Sequence, residues 1–140
     1  MIFVVLAGIL ASIAARIDWK TRTLPNRYTF LIASIGVLYC IALGNTPSFL
    51  YWVMILIHLS ISLALPKVLG MGDSKLILGL GLFFVSPENV LAWMSLFYIL
   101  ACLGALAFRQ RRLAFGPYIV MAWIVVFVGD YAHVSFLDGW

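Results

Sequence analysis

The chain has 140 residues, 65% of them hydrophobic and only 10% charged, with a net charge of +4. A mean hydropathy of +1.12 leaves too little polar side chain to wrap a soluble core of this size, so a soluble globular domain is excluded and lipid must be the solvent. The basic surplus does not read as a nucleic-acid surface, because the lysines and arginines lack aromatic interleaving and stand at the ends of apolar runs.

Six apolar spans follow in chain order, at about residues 1–17, 28–44, 47–66, 74–86, 90–108 and 113–129. They predict an all-α polytopic membrane protein, a single transmembrane domain over residues 1–140. Most approach the ~20 residues needed to cross ~30 Å of hydrocarbon. The fourth is short: its apolar stretch at 76–85 would rise only ~15 Å, so this span is expected to begin at Asp73 or earlier, with Asp73 near the membrane surface. The small residues at 11–15 imitate a signal-peptide cleavage site. The basic residues follow the first apolar run rather than precede it, however, which is the polarity of an anchor with its N terminus outside. Short connections force neighbouring helices to pack antiparallel, and Gly79, Gly81 and Gly104 could let them approach closely.

All nine lysines and arginines fall in residues 16–27, 67–75 and 109–112, and the connections at 45–48 and 87–89 and the tail at 130–140 hold none. This alternation marks the basic side as cytoplasmic and places both termini on the other side. Arg109, Arg111 and Arg112 read as topology determinants facing anionic lipid. Glu88, Asp130 and Asp138 lie on the basic-free side, so Asp18 and Asp73 are the only acids on the basic one. Cys40 and Cys102 have no C-x-x-C spacing and read as buried small hydrophobes. His58, in mid-span, reads as a neutral imidazole bonded to a neighbouring helix. Trp19, Trp52, Trp93 and Trp140, with Tyr28, Tyr51 and Tyr131, read as interfacial belts.

Asp18 ends the first helix and opens a loop in which Pro25 pushes Leu24 out of the α region and suits the start of the next helix. The second loop reads Leu69-Gly70-Met71-Gly72-Asp73-Ser74-Lys75. Its two glycines let the backbone approach another chain, and Asp73 falls where a carboxylate favours the helix dipole. Asp73 could be only an N-cap, and Asp18 only a charge partner for Arg16, Lys20 or Arg22. Taken together they are more: both stand at cytoplasmic ends of spans, where they can face each other across the bundle. Two carboxylates in a partly desolvated site cannot both ionise easily, so one keeps a proton, the arrangement for polarising a carbonyl and activating a water.

Three stretches resemble the type IV prepilin peptidases, bacterial membrane aspartic proteases. Asp18 through Pro25-Asn26 is similar to the first aspartate motif. Gly70-Met71-Gly72-Asp73 with Lys75-Leu76 is similar to G-x-G-D with its trailing lysine, and Phe115-Gly116-Pro117-Tyr118 to the F-G-P segment opening the last helix. The resemblance implies an aspartic endopeptidase in the bacterial cytoplasmic membrane, with Asp18 and Asp73 as the catalytic pair and Pro25, Asn26, Gly70, Gly72, Lys75, Gly116 and Pro117 supporting it. It implies as substrate a pilin-like precursor with a basic leader and a hydrophobic helix, cut after a glycine. The larger members' cytoplasmic region with paired C-x-x-C motifs, associated with methylation by S-adenosylmethionine, has no counterpart here, so methyl transfer, zinc and other cofactors are not expected. The rival class is a non-enzymatic transporter subunit or assembly protein. It would more usually place an ionisable group near the midplane and show related halves, which this sequence does not.

Overall fold

A computed structural model describes residues 2–64, 70–108 and 114–137. Those residues form six helices and no strand: α1 (Ile2–Thr21), α2 (Asn26–Leu43), α3 (Phe49–Ala64), α4 (Met71–Gly81), α5 (Pro87–Phe108) and α6 (Phe115–Leu137). Helices α1, α2 and α5 are long and apolar enough to cross a membrane, and α3 and α6 carry shorter apolar runs. Large apolar side chains such as Phe30, Ile41, Leu63 and Leu106 point outward, as expected of a bundle whose solvent is lipid. Lys67, Arg109, Arg111, Arg112, Asp138 and Trp140 lie outside the described residues.

Helix α4 is the pivot. It packs against α2, α3 and α6, while α1 lies on α2 and α6, and α5 on α6 and α3. Its close approach to α2 depends on absent side chains: a Cβ on Gly79 would sit 3.0 Å from the Ala33 nitrogen and from Ile32 Cγ2, and one on Gly36 would sit 2.9 Å from Leu82 Cβ. The two backbones therefore touch, a packing mode open only to the smallest residues.

Eleven residues give α4 a rise of only ~16 Å, about half the hydrocarbon thickness. The last carbonyls of a helix have no partner within it, and lipid offers none. Here three other helices supply donors. The Tyr51 hydroxyl of α3 donates to Leu78 O at 2.7 Å, the Trp123 indole N–H of α6 to Leu80 O at 3.0 Å, and the Cys40 thiol of α2 to Leu82 O at 3.2 Å. Leu82, Phe83 and Phe84 of the non-helical stretch that follows are thus buried in protein, a setting in which irregular backbone is tolerated at membrane depth.

Several boundaries differ from the sequence reading. Helix α4 starts at Met71 and stops at Gly81, instead of spanning 74–86: the Phe83 and Phe84 N–H groups turn back to Leu80 O and Gly81 O, and Leu82 O accepts from Cys40 of α2. Helix α5 begins at Pro87, a residue suited to a first turn whose N–H is unpaired anyway, so the connection before it is 82–86. Helix α1 continues past residue 17 to Thr21, carrying Asp18 inside its last turn, and α6 runs beyond residue 129. Trp93 and Tyr51 are not interfacial: both are buried, Trp93 donating to Ile119 O at 3.1 Å and Tyr51 to Leu78 O. Cys40 is half-buried with a hydrogen-bonding role, and Cys102 is exposed. His58 does bond a neighbouring helix, through Tyr98 of α5.

Tyr51→Phe deletes one donor and leaves Leu78 O unpaired in an apolar setting. Thermal unfolding of the protein in lipid should show a loss of about 1 kcal/mol, with Trp123→Phe losing a comparable amount.

Candidate active site

The apolar run of α1 closes before Arg16, so Asp18 lies beyond it, in the last turn. The helix is ended by Arg22, which adopts the left-handed conformation (φ 57°) and returns its N–H to Asp18 O at 2.8 Å, an αL cap formed without glycine. The Arg22 guanidinium lies 5.8 Å from the centre of the Trp19 ring. These turns point the Asp18 side chain inward, and only 5% of the residue is exposed. Its Oδ2 accepts the Gly116 N–H at 3.0 Å. That N–H belongs to the first turn of α6, where the amides have no partner in their own helix and the dipole favours an anion. A Cβ on Gly116 would lie 2.9 Å from the same oxygen, so the position admits no side chain without moving the carboxylate.

Asp73 lies in the first turn of α4, ahead of its apolar residues, and is 9% exposed. It is not the N-cap. Gly70 occupies that place, and Asp73 Oδ2 accepts the Gly70 N–H at 3.2 Å from three residues on, the reciprocal half of a capping box. Gly72 between them is where the two loops meet, because a Cβ there would lie 2.8 Å from Leu24 Cβ. Pro25, with Leu24 ahead of it, caps the start of α2 in an extended conformation. Asn26 Oδ1 then accepts a hydrogen bond from Lys75 Nζ at 3.0 Å. Pro117 sits in the first turn of α6, where a missing N–H is harmless.

The charge of Asp18 acts on Asp73. Burial pushes the Asp73 carboxyl up from 3.8 to about 7, the Asp18 charge adds to the rise, and the Gly70 N–H opposes it. Burial also raises Asp18, opposed by the Gly116 N–H and by the positive charge of Arg22. The Asp18–Arg22 attraction foreseen from sequence is therefore present, but desolvation outweighs it. The pair is set to hold a proton near neutral pH. Because folded Asp73 keeps its proton to about pH 7 whereas the unfolded carboxyl loses it near 3.8, its contribution to stability declines as pH rises through that window.

Sequence reasoning missed Ser62 and Ser74, both buried, whose hydroxyls pair beside Asp73. The only trace of Ser62 in the sequence is a polar side chain amid apolar neighbours, and Ser74 leaves none, since it stands between Asp73 and Lys75. Beside Lys75, a groove of about 420 Å³ runs between α2 and α4, lined by Asn26, Thr29, Phe30, Ala33, Lys75 and Leu78.

An all-helical membrane bundle with a desolvated carboxyl pair defines the class of protein. The profile of the type IV leader peptidase family matches residues 4–109, well over half of the chain, and the chain belongs to that family. The match includes both aspartates and ends before α6, so Gly116 and Pro117 fall beyond it. No curated protein and no solved structure matches the chain.

Gly116→Ala should displace the Asp18 carboxylate and perturb the pair, whereas Gly129→Ala, with nothing within 4 Å of its Cβ position, should leave activity unchanged and cost no stability. Equal effects of the two substitutions, measured on protein purified in lipid, would contradict this account of the site.

Proposed function

We propose that the protein is a membrane aspartic endopeptidase that removes the leader of type IV pilin-like precursors, with Asp18 and Asp73 as the catalytic pair. The observation that carries this reading is the placement of two buried carboxyls, each accepting a backbone N–H from the start of a helix, Asp18 from Gly116 and Asp73 from Gly70, with the Asp18 charge adding to the rise of Asp73. Asp18, with the Gly116 N–H and Arg22 favouring its anion, acts as the base. Asp73 is the acid. Asp18 takes a proton from water as the oxygen attacks the scissile carbonyl, and Asp73 gives its proton to the carbonyl oxygen. In the collapse that follows, the C–N bond breaks, Asp18 delivers its proton to the leaving nitrogen, and Asp73 recovers one from the gem-diol.

The family supports a leader peptide as the substrate class. The groove between α2 and α4 opens on the lipid-facing side at Phe30, which is 72% exposed, and offers room for the apolar segment after the leader within two residues of Asp73. The alternation of basic segments supports a multi-pass protein of the bacterial cytoplasmic membrane with both termini outside the cytoplasm. A reporter fused after Trp140 should then behave as exported.

Asp18→Asn and Asp73→Asn should each abolish leader removal while leaving membrane insertion intact, and the double substitution should lose little more than either alone, because the two groups act as a unit. Substantial cleavage by either single variant, scored by precursor size, would remove the paired mechanism. The pH profile should fall as Asp73 loses its proton above about 7. Arg22→Gln removes an influence that lowers Asp18, so the acid limb of the profile should move to higher pH. An acid limb that stays in place would separate Arg22 from the base.

A further inference from the structure

Asp73 is followed by a second buried polar residue that the mechanism does not use. Ser74 is 1% exposed and Ser62, on α3, is 2% exposed. The Ser74 hydroxyl donates to the carbonyl oxygen of His58 at 3.3 Å and is paired with the Ser62 hydroxyl. Ser62 stands four residues after His58, so its hydroxyl and the His58 carbonyl lie on one face of α3. The imidazole is fixed as well: Nδ1 contacts Met54 O at 2.7 Å and Nε2 contacts the Tyr98 hydroxyl at 2.6 Å. A carbonyl only accepts, so Nδ1 carries the proton and Nε2 receives the Tyr98 O–H. A polar chain thus runs from α5 through α3 to the residue beside Asp73.

Alanine would fill both serine positions without polar atoms, and a buried hydroxyl is tolerated only when bonded. Two hydroxyls placed against each other at this contact therefore fix an orientation that apolar packing would leave free. The orientation matters because four consecutive residues at the start of α4 are each tied differently: Gly72 to Leu24, Asp73 to Gly70, Ser74 to α3 and Lys75 to α2. A carboxylate about 5–6 Å from a helix axis moves ~1 Å for every ~10° of rotation about that axis. A displacement of ~1 Å at a reacting group can reduce the rate by about 100-fold.

We propose that Ser74 and Ser62 are positioning residues: their hydroxyl pair, anchored on the His58 carbonyl, sets the rotation of α4 that holds Asp73 toward Asp18. The inference rests on the reading of Asp18 and Asp73 as the catalytic pair. Ser62 acts through Ser74, so the two substitutions should not add.

The test uses the full chain in lipid nanodiscs, with leader removal followed kinetically and amide exchange of residues 70–76 followed by mass spectrometry without substrate. Ser74→Ala should lower kcat about tenfold or more with KM within about twofold, Ser62→Ala should do the same to a smaller extent, and the double variant should match Ser74→Ala. Ser74→Cys, which keeps a weak donor, should fall between Ser74→Ala and the wild type. Exchange at 70–76 should quicken in Ser74→Ala. Ser60→Ala, whose hydroxyl bonds Leu56 O of its own helix on the exposed face, should leave both readouts unchanged. Wild-type kcat in Ser74→Ala would overturn the proposal, as would a loss explained wholly by less folded protein with exchange unchanged. A chain that cleaves no precursor but loosens at 70–76 in Ser74→Ala would mean that the peptidase reading fails while the hydroxyl pair still holds the turn.

Discussion

A short helix whose end is enclosed by other helices must find partners for its last carbonyls within the protein, and that constraint organises this molecule. Lipid cannot bond them, and each one left bare would be expensive. Tyr51, Trp123 and Cys40 meet Leu78, Leu80 and Leu82 from three different helices, so α4 is fixed in height against α2, α3 and α6. With the far end fixed, the near end is fixed too. Asp73 lies in that near end, opposite the closing turn of α1, and the position of one carboxyl relative to the other follows from how the short helix is held.

Sinking two carboxyls among helices is unfavourable unless something answers their charge. Each receives one backbone N–H from the start of a helix, Asp18 from Gly116 on α6 and Asp73 from Gly70 on α4. Glycine occupies the points where chains touch these groups: Gly116 lies against the Asp18 carboxylate and Gly72 against Leu24. The compensation is partial. Burial remains the largest influence on both carboxyls, and a pair left short of full solvation can share a proton near neutrality, which is the state hydrolysis requires.

The carboxyls, the glycines around Asp73 and the proline that shapes the first loop were legible in the sequence, because each is a residue type whose local chemistry restricts where it can be. Gly116 was reached only through resemblance, since nothing in its neighbours points to a residue 98 positions away. Helix ends were misjudged where tertiary bonds decide them: apolarity continues through Leu82 and Val85, but the helix does not. Trp93 was read as interfacial because tryptophan favours that zone, and a buried carbonyl on α6 overrides the preference. Tyr51, Ser62 and Ser74 are ordinary in their local windows, and their roles exist only once α3 and α4 are side by side. Periodicity shows which residues face inward in one helix, not which atoms of another helix they meet.

Paired chemistry requires Asp18 and Asp73 to be close enough for the charge of one to govern the other. Carboxyl carbon NMR of the protein in lipid, followed across pH with aspartate labelled, measures this directly in the wild type and in Asp18→Asn. Asp73 should titrate at about 7 in the wild type and at lower pH once the Asp18 charge is gone, though still above an ordinary aspartate because burial persists. An Asp73 that titrates near 3.8, or one whose titration is the same in both proteins, would contradict it.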